Sequence, residues 1–293
     1  MELQFNQIQL EKQQDYLALL AKCSQKSSDY SFSNLFSWGE EYGLTWAWQN
    51  GLVWIKQSRP AAQCWAPIGP WESVNWIDIF EQKCEKGLQF TRIPEKLADI
   101  WRSVLGDRID IEEERGNWDY LYSIRDLIDL KGNRFHKKKN LLNQFKKKHD
   151  YIYKSFGTDM IEPAMAMQAD WCSWRDCESS DVLSAENRSV HKVLANWEKL
   201  ENLAGGTLLV DGIIVAYTIA EKLSSDTIVI HYEKGCPDYK GVYQAINQMF
   251  LEHLEEDFQW VNREQDLGEE GLRKAKLSYN PVGFLKKYKV TVK

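Results

Sequence analysis

The feature that most limits the possible folds is a series of three apolar segments that leads directly into a helix-forming segment. Residues 207–223, TLLVDGIIVAYTIAEKL, form two strands around Asp211-Gly212, a pair that tolerates the positive φ angles of a two-residue hairpin turn. Residues 227–235, TIVIHYEKG, form a third strand, and residues 241–255 then carry apolar side chains at helical spacing. The sequence therefore predicts an antiparallel meander whose third strand enters a helix through a turn containing Gly and Pro.

The segments around this meander extend the pattern in both directions. We expect a strand at 151–158 and helices at 163–177 and 184–200 before it, and a strand at 258–262, a helix near 268–278 and a last strand at 284–292 after it. The resulting order is β, α, α, βββ, α, β, α, β, which resembles the order of the GNAT acyltransferase fold. In that fold a helix N-terminus after the fourth strand faces the acyl donor. A V-shaped gap between the fourth and fifth strands admits the reacting groups.

The first half of the chain is predicted to be a separate α/β unit. Residues 44–57 form a hairpin around Asn50-Gly51, residues 75–87 and 95–106 have helical spacing, and residues 88–94 read as a strand. The chain contains 13 Trp residues, and those of this half lie on the periodic faces, so we interpret them as core rather than as a ligand cage. The composition shifts near residue 131, which places a domain boundary between 130 and 131.

Composition and charge narrow the class of protein. A net charge of −6 argues against a general nucleic-acid coat. No stretch approaches the roughly 18 apolar residues that span a bilayer, and the polar N-terminus does not resemble a signal peptide, so we expect a cytoplasmic protein. The 6 Cys residues form no CxxC pair and have no His at metal-ligand spacing. We therefore expect reduced thiols used as small apolar residues, and no metal site.

One segment departs from the acidic character of the rest. Residues 131–149, KGNRFHKKKNLLNQFKKKH, contain 8 Lys or Arg residues and no Asp or Glu. One interpretation is a solvated amphipathic helix that docks through its apolar stripe. The other is a surface for an anionic partner, to which the segment would contribute Arg134, Lys137, Lys138 and Lys139.

The turn before the helix at 241–255 is where a GNAT protein would bind the diphosphate of coenzyme A, with a pattern resembling Arg/Gln-x-x-Gly-x-Gly/Ala. Gly241 matches the first glycine of that pattern, and backbone N–H groups at a helix N-terminus favour anions. Asp238 stands where a basic or amide residue is expected, and Tyr243 stands where a small residue is expected. Lys240 offsets part of the acidic charge, so coenzyme A stays an alternative.

A second polar cluster follows the strand at 258–262. Asn262, Arg263, Glu264 and Asp266 lie just beyond the strand end, beside the expected V-shaped gap. They are candidate ligand-binding residues. The alternative is ordinary helix support, since Asp266 and Glu269 have the spacing of a capping box.

Several of these segments resemble one known family. YSFSNLFSW (30–38), RFHKKKNLLNQF (134–145), YEKGCPDYKGVYQAINQMF (232–250) and VNREQDLGEEGLRKAKLSYNP (261–281) are similar to the phosphatidylglycerol lysyltransferase C-terminal domain family, over essentially the whole chain. The resemblance implies an α+β protein of two tandem GNAT-like domains, 1–130 and 131–293, each a mostly antiparallel mixed sheet flanked by helices, with the active cleft in the second. It also implies a relation to Fem-type transferases, which take an aminoacyl group from charged tRNA.

Three functions follow from these observations. The first is transfer of an aminoacyl group, with charged tRNA as a candidate donor, to an amine or hydroxyl acceptor. Glu233 and His231 would be the candidate bases, backbone N–H groups near Lys240 to Val242 would stabilise the oxyanion, and the protein would make at most transient contact with lipid head groups. The second is acyl transfer from a coenzyme A thioester, which would need Lys240 and Gly241 to hold the diphosphate. The third is a non-catalytic protein that keeps the cleft to bind a ligand.

Overall fold

The computed structural model describes residues 3–293, which divide into two compact units. The first unit contains the described residues up to Asp119 together with Gln265–Arg273 and Phe284–Lys293. The second contains Tyr120–Glu264 and Lys274–Gly283. The chain therefore returns to the first unit twice after a main break near residue 120, which differs from a single boundary at 130.

The first unit begins with a two-residue strand and short helices and continues as a strand meander. Its hairpin turns at Asn50 (φ 57°) and Gly51 (φ 72°), which confirms the predicted turn. Its elements are β1 (Asn6–Gln7), α1 (Gln13–Leu20), α2 (Phe32–Ser37), α3 (Gly39–Tyr42), β2 (Thr45–Gln49), β3 (Leu52–Gln57), β4 (Gln63–Trp65), α4 (Trp76–Lys83), β5 (Gln89–Pro94), α5 (Glu95–Leu105) and β6 (Ile109–Glu113).

The second half contains the predicted meander and the helix that follows it. The turn at Asp211 (φ 52°) and Gly212 (φ 78°) joins two antiparallel strands, as expected. The elements are β7 (Asp119–Ser123), α6 (Ile124–Asp129), α7 (His136–Lys148), β8 (Tyr151–Ser155), α8 (Ile161–Arg175), α9 (Asp181–Ala195), β9 (Leu203–Val210), β10 (Ile213–Lys222), β11 (Thr227–Gly235), α10 (Val242–Glu252), β12 (Trp260–Asn262), α11 (Glu270–Leu277), β13 (Gly283–Leu285) and β14 (Lys287–Val292).

Within residues 3–293 each sheet has seven strands, and the two sheets repeat one topology. Their orders are β1-β2-β3-β4-β5-β14-β6 and β8-β9-β10-β11-β12-β7-β13. The sixth strand of the first sheet is β14, from the end of the chain, and the sixth strand of the second sheet is β7, from the middle of the chain. Each half of the chain therefore supplies one strand to the sheet of the other half. This corrects the expectation that the last strand completes the second half: β14 instead pairs antiparallel with β5 and β6.

Six tryptophans of the first unit lie in its core, as predicted, whereas Trp48 is partly exposed. Trp76 and Trp101 are fully buried, and their rings meet edge-to-face with centroids 5.3 Å apart. Such pairs contribute both buried apolar area and favourable ring electrostatics. The other buried tryptophans of this unit are Trp46, Trp54, Trp65 and Trp71.

The expectation of reduced thiols is wrong at one place. Cys172 and Cys177 form a disulfide, while Cys23, Cys64, Cys84 and Cys236 are free thiols. Five residues apart on one continuous helix, two cysteines could not meet. Here α8 ends at Arg175, and Asp176 adopts a left-handed conformation (φ 51°) that turns Cys177 back to a Cα–Cα distance of 5.0 Å from Cys172.

Candidate active site

The second unit contains a parallel strand pair that opens along its length. β11 and β12 are paired at Thr227–Trp260, Ile228–Val261 and Val229–Asn262. β12 then ends, and the next residue, Arg263, donates its backbone N–H to Tyr120 (3.0 Å) on the side away from β11. β11 itself continues along β10 to Gly235. The gap expected between the fourth and fifth strands is therefore present, with side chains of β11 on one wall and the residues after β12 on the other.

A buried ion pair spans this opening. Arg263 donates to the carboxylate of Glu233 at 2.8 Å, and the amide of Asn247 on α10 donates to the other carboxylate oxygen at 3.1 Å. Burial opposes the charge of Arg263, but the neighbouring carboxylate outweighs it and raises the pKa of the guanidinium. Two residues predicted separately as base and ligand-binding group thus form one charged unit.

The helix α7 contributes Lys138 to the cluster around Arg263. Its ammonium lies 3.8 Å from the ring centre of Tyr279, and the guanidinium of Arg263 lies 4.8 Å from the centre of the same ring. Burial and the positive charge of Arg263 lower the pKa of Lys138 to about 8, although Glu233 opposes the shift. Two cations on one aromatic ring, with a single carboxylate beside them, make this a site suited to an anion or to a polar carbonyl.

His231, the other candidate base, is held between two carboxylates. Its Nδ1 lies 2.7 Å from Glu264 and its Nε2 lies 3.2 Å from Glu221, with the imidazole almost completely buried. Burial alone would lower the pKa of His231, but hydrogen bonds to Glu221 and Glu264 raise it to about 9. The ring is therefore an imidazolium at neutral pH, with both N–H groups engaged, and it has no lone pair with which to accept a proton.

The opposite face of β11 carries a second polar group. Lys234 is buried, pairs with Glu186 of α9 at 2.7 Å, and lies 3.7 Å from the ring centre of Trp171 on α8. Tyr232 shares a 2.6 Å hydrogen bond with the hydroxyl of Ser189. Because successive side chains of a strand alternate between its faces, polar groups occur on both sides of the opening.

The helix mouth at Gly241 is covered by α7. Gly241 adopts φ 90°, and a Cβ built there would lie 2.1 Å from the carbonyl oxygen of Leu141 and 3.3 Å from Phe145. The N–H of Val242, an expected oxyanion donor, is engaged by the carbonyl of Tyr239 at 3.0 Å. The face of the turn that packs on α7 is therefore closed to a diphosphate.

The two other residues predicted at this turn point in different directions. Tyr243 is about one-third exposed, and its hydroxyl donates to the carbonyl of Gly235 and accepts from the indole N–H of Trp171, both at 3.3 Å. Lys240 is exposed. Among the described residues, no hydrogen bond or ion pair joins either side chain to the cluster around Arg263.

Asn262 and Asp266 have local structural partners. Asn262 is fully buried, and its side-chain oxygen accepts the N–H of Glu264 at 2.8 Å, which supports the left-handed turn there (φ 57°). Asp266 belongs to the first unit, where Arg273 donates to both of its oxygens (2.8 and 3.0 Å).

Of the basic residues predicted on α7 and just before it, Lys138 faces the opening. Arg134 pairs with Asp126 at 2.7 Å, whereas Lys137 and Lys139 are exposed. The same helix therefore contributes one lysine to the cluster and presents others to solvent.

The equivalent strand pair in the first unit is bridged by a tyrosine hydroxyl. β4 and β5 pair in parallel at Cys64–Phe90 and Trp65–Thr91. Just beyond, the hydroxyl of Tyr30 accepts the N–H of Ala66 (2.9 Å) and donates to the carbonyl of Arg92 (3.0 Å). One hydroxyl thus joins the two diverging strands of the first unit, whereas a charged pair, Glu233 and Arg263, joins the corresponding strands of the second.

Sequence reasoning missed two residues of the cluster, Asn247 and Tyr279. Asn247 is a fully buried amide on the apolar face of α10, and Tyr279 follows α11 in the segment LSYNP. Asn247 could have been identified because a polar residue at a core position of an amphipathic helix needs a hydrogen-bond partner. Nothing in the local pattern distinguishes Tyr279 from a packing tyrosine.

Two kinds of feature are absent from the described residues. Within residues 3–293, no three or more His, Cys, Asp or Glu side chains are grouped so that they could hold a metal ion. None of the helices described is both long enough and apolar enough to cross a membrane.

The repeated strand order and the open strand pair define the class of protein: a tandem GNAT-like protein. The chain belongs to the family "Phosphatidylglycerol lysyltransferase, C-terminal", whose profile matches residues 20–291. None of the curated proteins matches it.

Three solved structures are similar over nearly the full length. A conserved protein of unknown function from Bacteroides thetaiotaomicron VPI-5482 has 31% identity and a TM-score of 0.90, with 100% of each chain covered. The C-terminal domain of a putative lysylphosphatidylglycerol synthetase from Agrobacterium fabrum has 12% identity and a TM-score of 0.67, covering 96% of this chain and 91% of that one. L-PGS from Bacillus licheniformis has 13% identity and a TM-score of 0.65, covering 98% and 93%.

Proposed function

We propose that this protein is an aminoacyltransferase that moves an aminoacyl group, carried by a charged tRNA, to an amine or hydroxyl acceptor in the opening between β11 and β12. The observation that carries the proposal is the convergence of Glu233, Arg263 and Lys138 at that opening. The family to which the chain belongs is named for a lysyltransferase, which agrees with this class of reaction. The cytoplasm, where charged tRNA is made, is the compartment that this function requires.

The charges near the opening suit a polyanionic donor. Lys137 and Lys139 are exposed on α7, the helix that also delivers Lys138 to the cluster. Phosphate contacts supply most of the affinity of proteins for nucleic acids. An acceptor end of tRNA bound along α7 would therefore bring its aminoacyl ester to Arg263, which can hydrogen-bond an ester carbonyl whose charge grows during transfer.

The geometry at Gly241 weighs against a coenzyme A thioester as donor. A diphosphate bound to a GNAT-like turn needs close approach to backbone N–H groups at the helix N-terminus. Here Leu141 packs directly on Gly241, and Val242 has its N–H engaged. Calorimetry with coenzyme A is expected to show no binding in the micromolar range, and micromolar binding would favour the coenzyme A alternative.

The direct test is incubation of the protein with a mixture of charged tRNAs and cell extract, followed by mass spectrometry for a new aminoacylated product. We expect a product with the wild type and its loss in Arg263→Gln. Lys86→Gln, a change at an exposed lysine of the first unit, is the matched control and should keep the wild-type rate. If the wild type forms no product with any charged tRNA, the protein is better described as a non-catalytic binding protein.

A second measurement addresses the donor alone. The variant Lys137→Ala with Lys139→Ala should weaken tRNA binding, measured by filter retention, and should reduce the slope of log affinity against log salt by about 1–2. The same two changes should leave the unfolding free energy within about 0.5 kcal/mol of wild type, because both side chains are exposed. An unchanged salt slope would contradict a role for α7 in tRNA binding.

A further inference from the structure

The cluster contains three groups that could take a proton from an acceptor, and two of them are already committed. Both nitrogens of His231 donate to carboxylates, Glu264 on one side and Glu221 on the other. The two oxygens of Glu233 accept from Arg263 and from Asn247. As an imidazolium, His231 has no lone pair with which to accept a proton, whereas the carboxylate of Glu233 keeps lone pairs but is held as the counter-ion of Arg263.

The third group is the amine of Lys138. It lies half-buried against the ring face of Tyr279, 3.8 Å from the ring centre, and it reaches the cluster from α7 rather than from the strands. An ammonium beside a guanidinium is a like-charge pair, which favours loss of its proton. We propose that Lys138 is the proton acceptor of the transfer reaction, an inference that rests on the proposed function.

The charged and titratable groups around Lys138 set its protonation. Arg263 opposes its positive charge, Glu233 supports it, and Tyr279 provides the ring against which it packs. On its own helix and just before it, Arg134 is paired with Asp126, and Lys137 and Lys139 point to solvent. With burial added, the pKa of Lys138 falls to about 8, so a useful fraction of the amine is neutral at cellular pH.

The step balances without another reactant. The nitrogen or oxygen of the acceptor forms a bond to the carbonyl carbon of the aminoacyl ester, and its proton passes to Nζ of Lys138. The ester C–O bond then breaks, and the ribose oxygen leaves with the proton that Lys138 returns. Arg263 holds the carbonyl oxygen while its negative charge is greatest. Lys138 ends the cycle in the state in which it began.

The first experiment measures Lys138 without any substrate. Trace acetylation of the intact protein with acetic anhydride, from pH 6 to 11, is quantified by mass spectrometry of peptides that contain Lys138 and, for comparison, the exposed lysines Lys86 and Lys139. Labelling of Lys138 should reach its midpoint near pH 8, whereas ordinary exposed lysines titrate near 10.4. If Lys138 titrates together with the two reference lysines, the inference is wrong, whatever the protein catalyses.

The second experiment measures transfer. Lys138→Arg keeps a positive charge for the donor but cannot release a proton near neutral pH, so it should lower the rate of aminoacyl transfer by about 100-fold or more while tRNA binding stays within threefold. Lys86→Arg is the control. Transfer by Lys138→Arg within threefold of wild type overturns the role of Lys138 and leaves the proposed function standing. Absence of transfer by the wild type overturns both.

Discussion

The carboxylate of Glu233 and the guanidinium of Arg263 lie 2.8 Å apart, across the point where β11 and β12 separate. Their side chains are only 9% and 15% exposed. A charge removed from water this far is stable only while its partner is present. The ion pair therefore holds together the two walls of the opening and keeps both charges in the place where a substrate would meet them.

The first prediction concerns the energy of this pair. Arg263→Ala should lower the free energy of unfolding by about 3 kcal/mol, because it leaves Glu233 buried with the amide of Asn247 as its remaining described partner. Glu233→Ala should have a similar cost. The double variant should lose clearly less than the sum of the two, and urea unfolding of all four proteins measures the difference. Additive losses would mean that the two side chains are not energetically coupled.

The second prediction tests the contact between α7 and the mouth of α10. Gly241→Ala places a methyl group 2.1 Å from the Leu141 carbonyl, so α7 must move, and we expect a loss of at least 2 kcal/mol in unfolding free energy. Gly212→Ala is the matched control. Gly212 also has a positive φ (78°) but no atom within 4 Å of the added methyl, so its cost should be about 1 kcal/mol. Equal losses in the two variants would show that α7 does not press on Gly241.

Most helices and strands could be predicted from periodicity, although β6 and α6 were missed, but the partner of each terminal strand could not be predicted. Alternating burial of Tyr288, Val290 and Val292 identifies β14 as a strand with one buried face. The alternation of apolar and polar residues along a strand shows which side chains face a core, but it does not show which of the two sheets the strand joins. The exchange of β14 for β7 is a property of the two sheets together, so no local segment of the sequence reveals it.

The candidate site was predictable as separate parts. Glu233 follows an apolar run, Arg263 follows another, and Lys138 lies in a basic segment about 100 residues before them, so each was recognisable by its own pattern. The three side chains meet only because α7 packs across the N-terminus of α10 at a particular angle. That angle depends on side-chain packing, which the sequence pattern does not show. Asp266 was predictable only in part: its spacing to Glu269 suggested a capping box, and its carboxylate accepts the backbone N–H of Gly268 as well as two hydrogen bonds from Arg273.

The third prediction uses the protonation of His231. Its pKa rises from 6.5 to about 9 on folding, so the folded state binds the proton more tightly than the unfolded state. The resulting stabilisation, about 3 kcal/mol, is complete below pH 6.5 and is lost as pH rises from 6.5 to about 9. The difference in unfolding free energy between wild type and His231→Gln should therefore shrink over that interval and stay constant above it. A difference that is independent of pH would contradict an imidazolium between Glu221 and Glu264.

The fourth prediction concerns the disulfide at the end of α8. In denaturant without reductant, iodoacetamide should alkylate 4 of the 6 cysteines, leaving Cys172 and Cys177 unmodified, and prior reduction should expose all of them. Intact mass and peptide mapping give both counts, with Cys236 as a thiol that reacts in either case. Because the bond closes a short loop, its reduction should cost about 2 kcal/mol of unfolding free energy. If Cys172 is labelled before reduction in protein purified without reductant, the disulfide between Cys172 and Cys177 is absent.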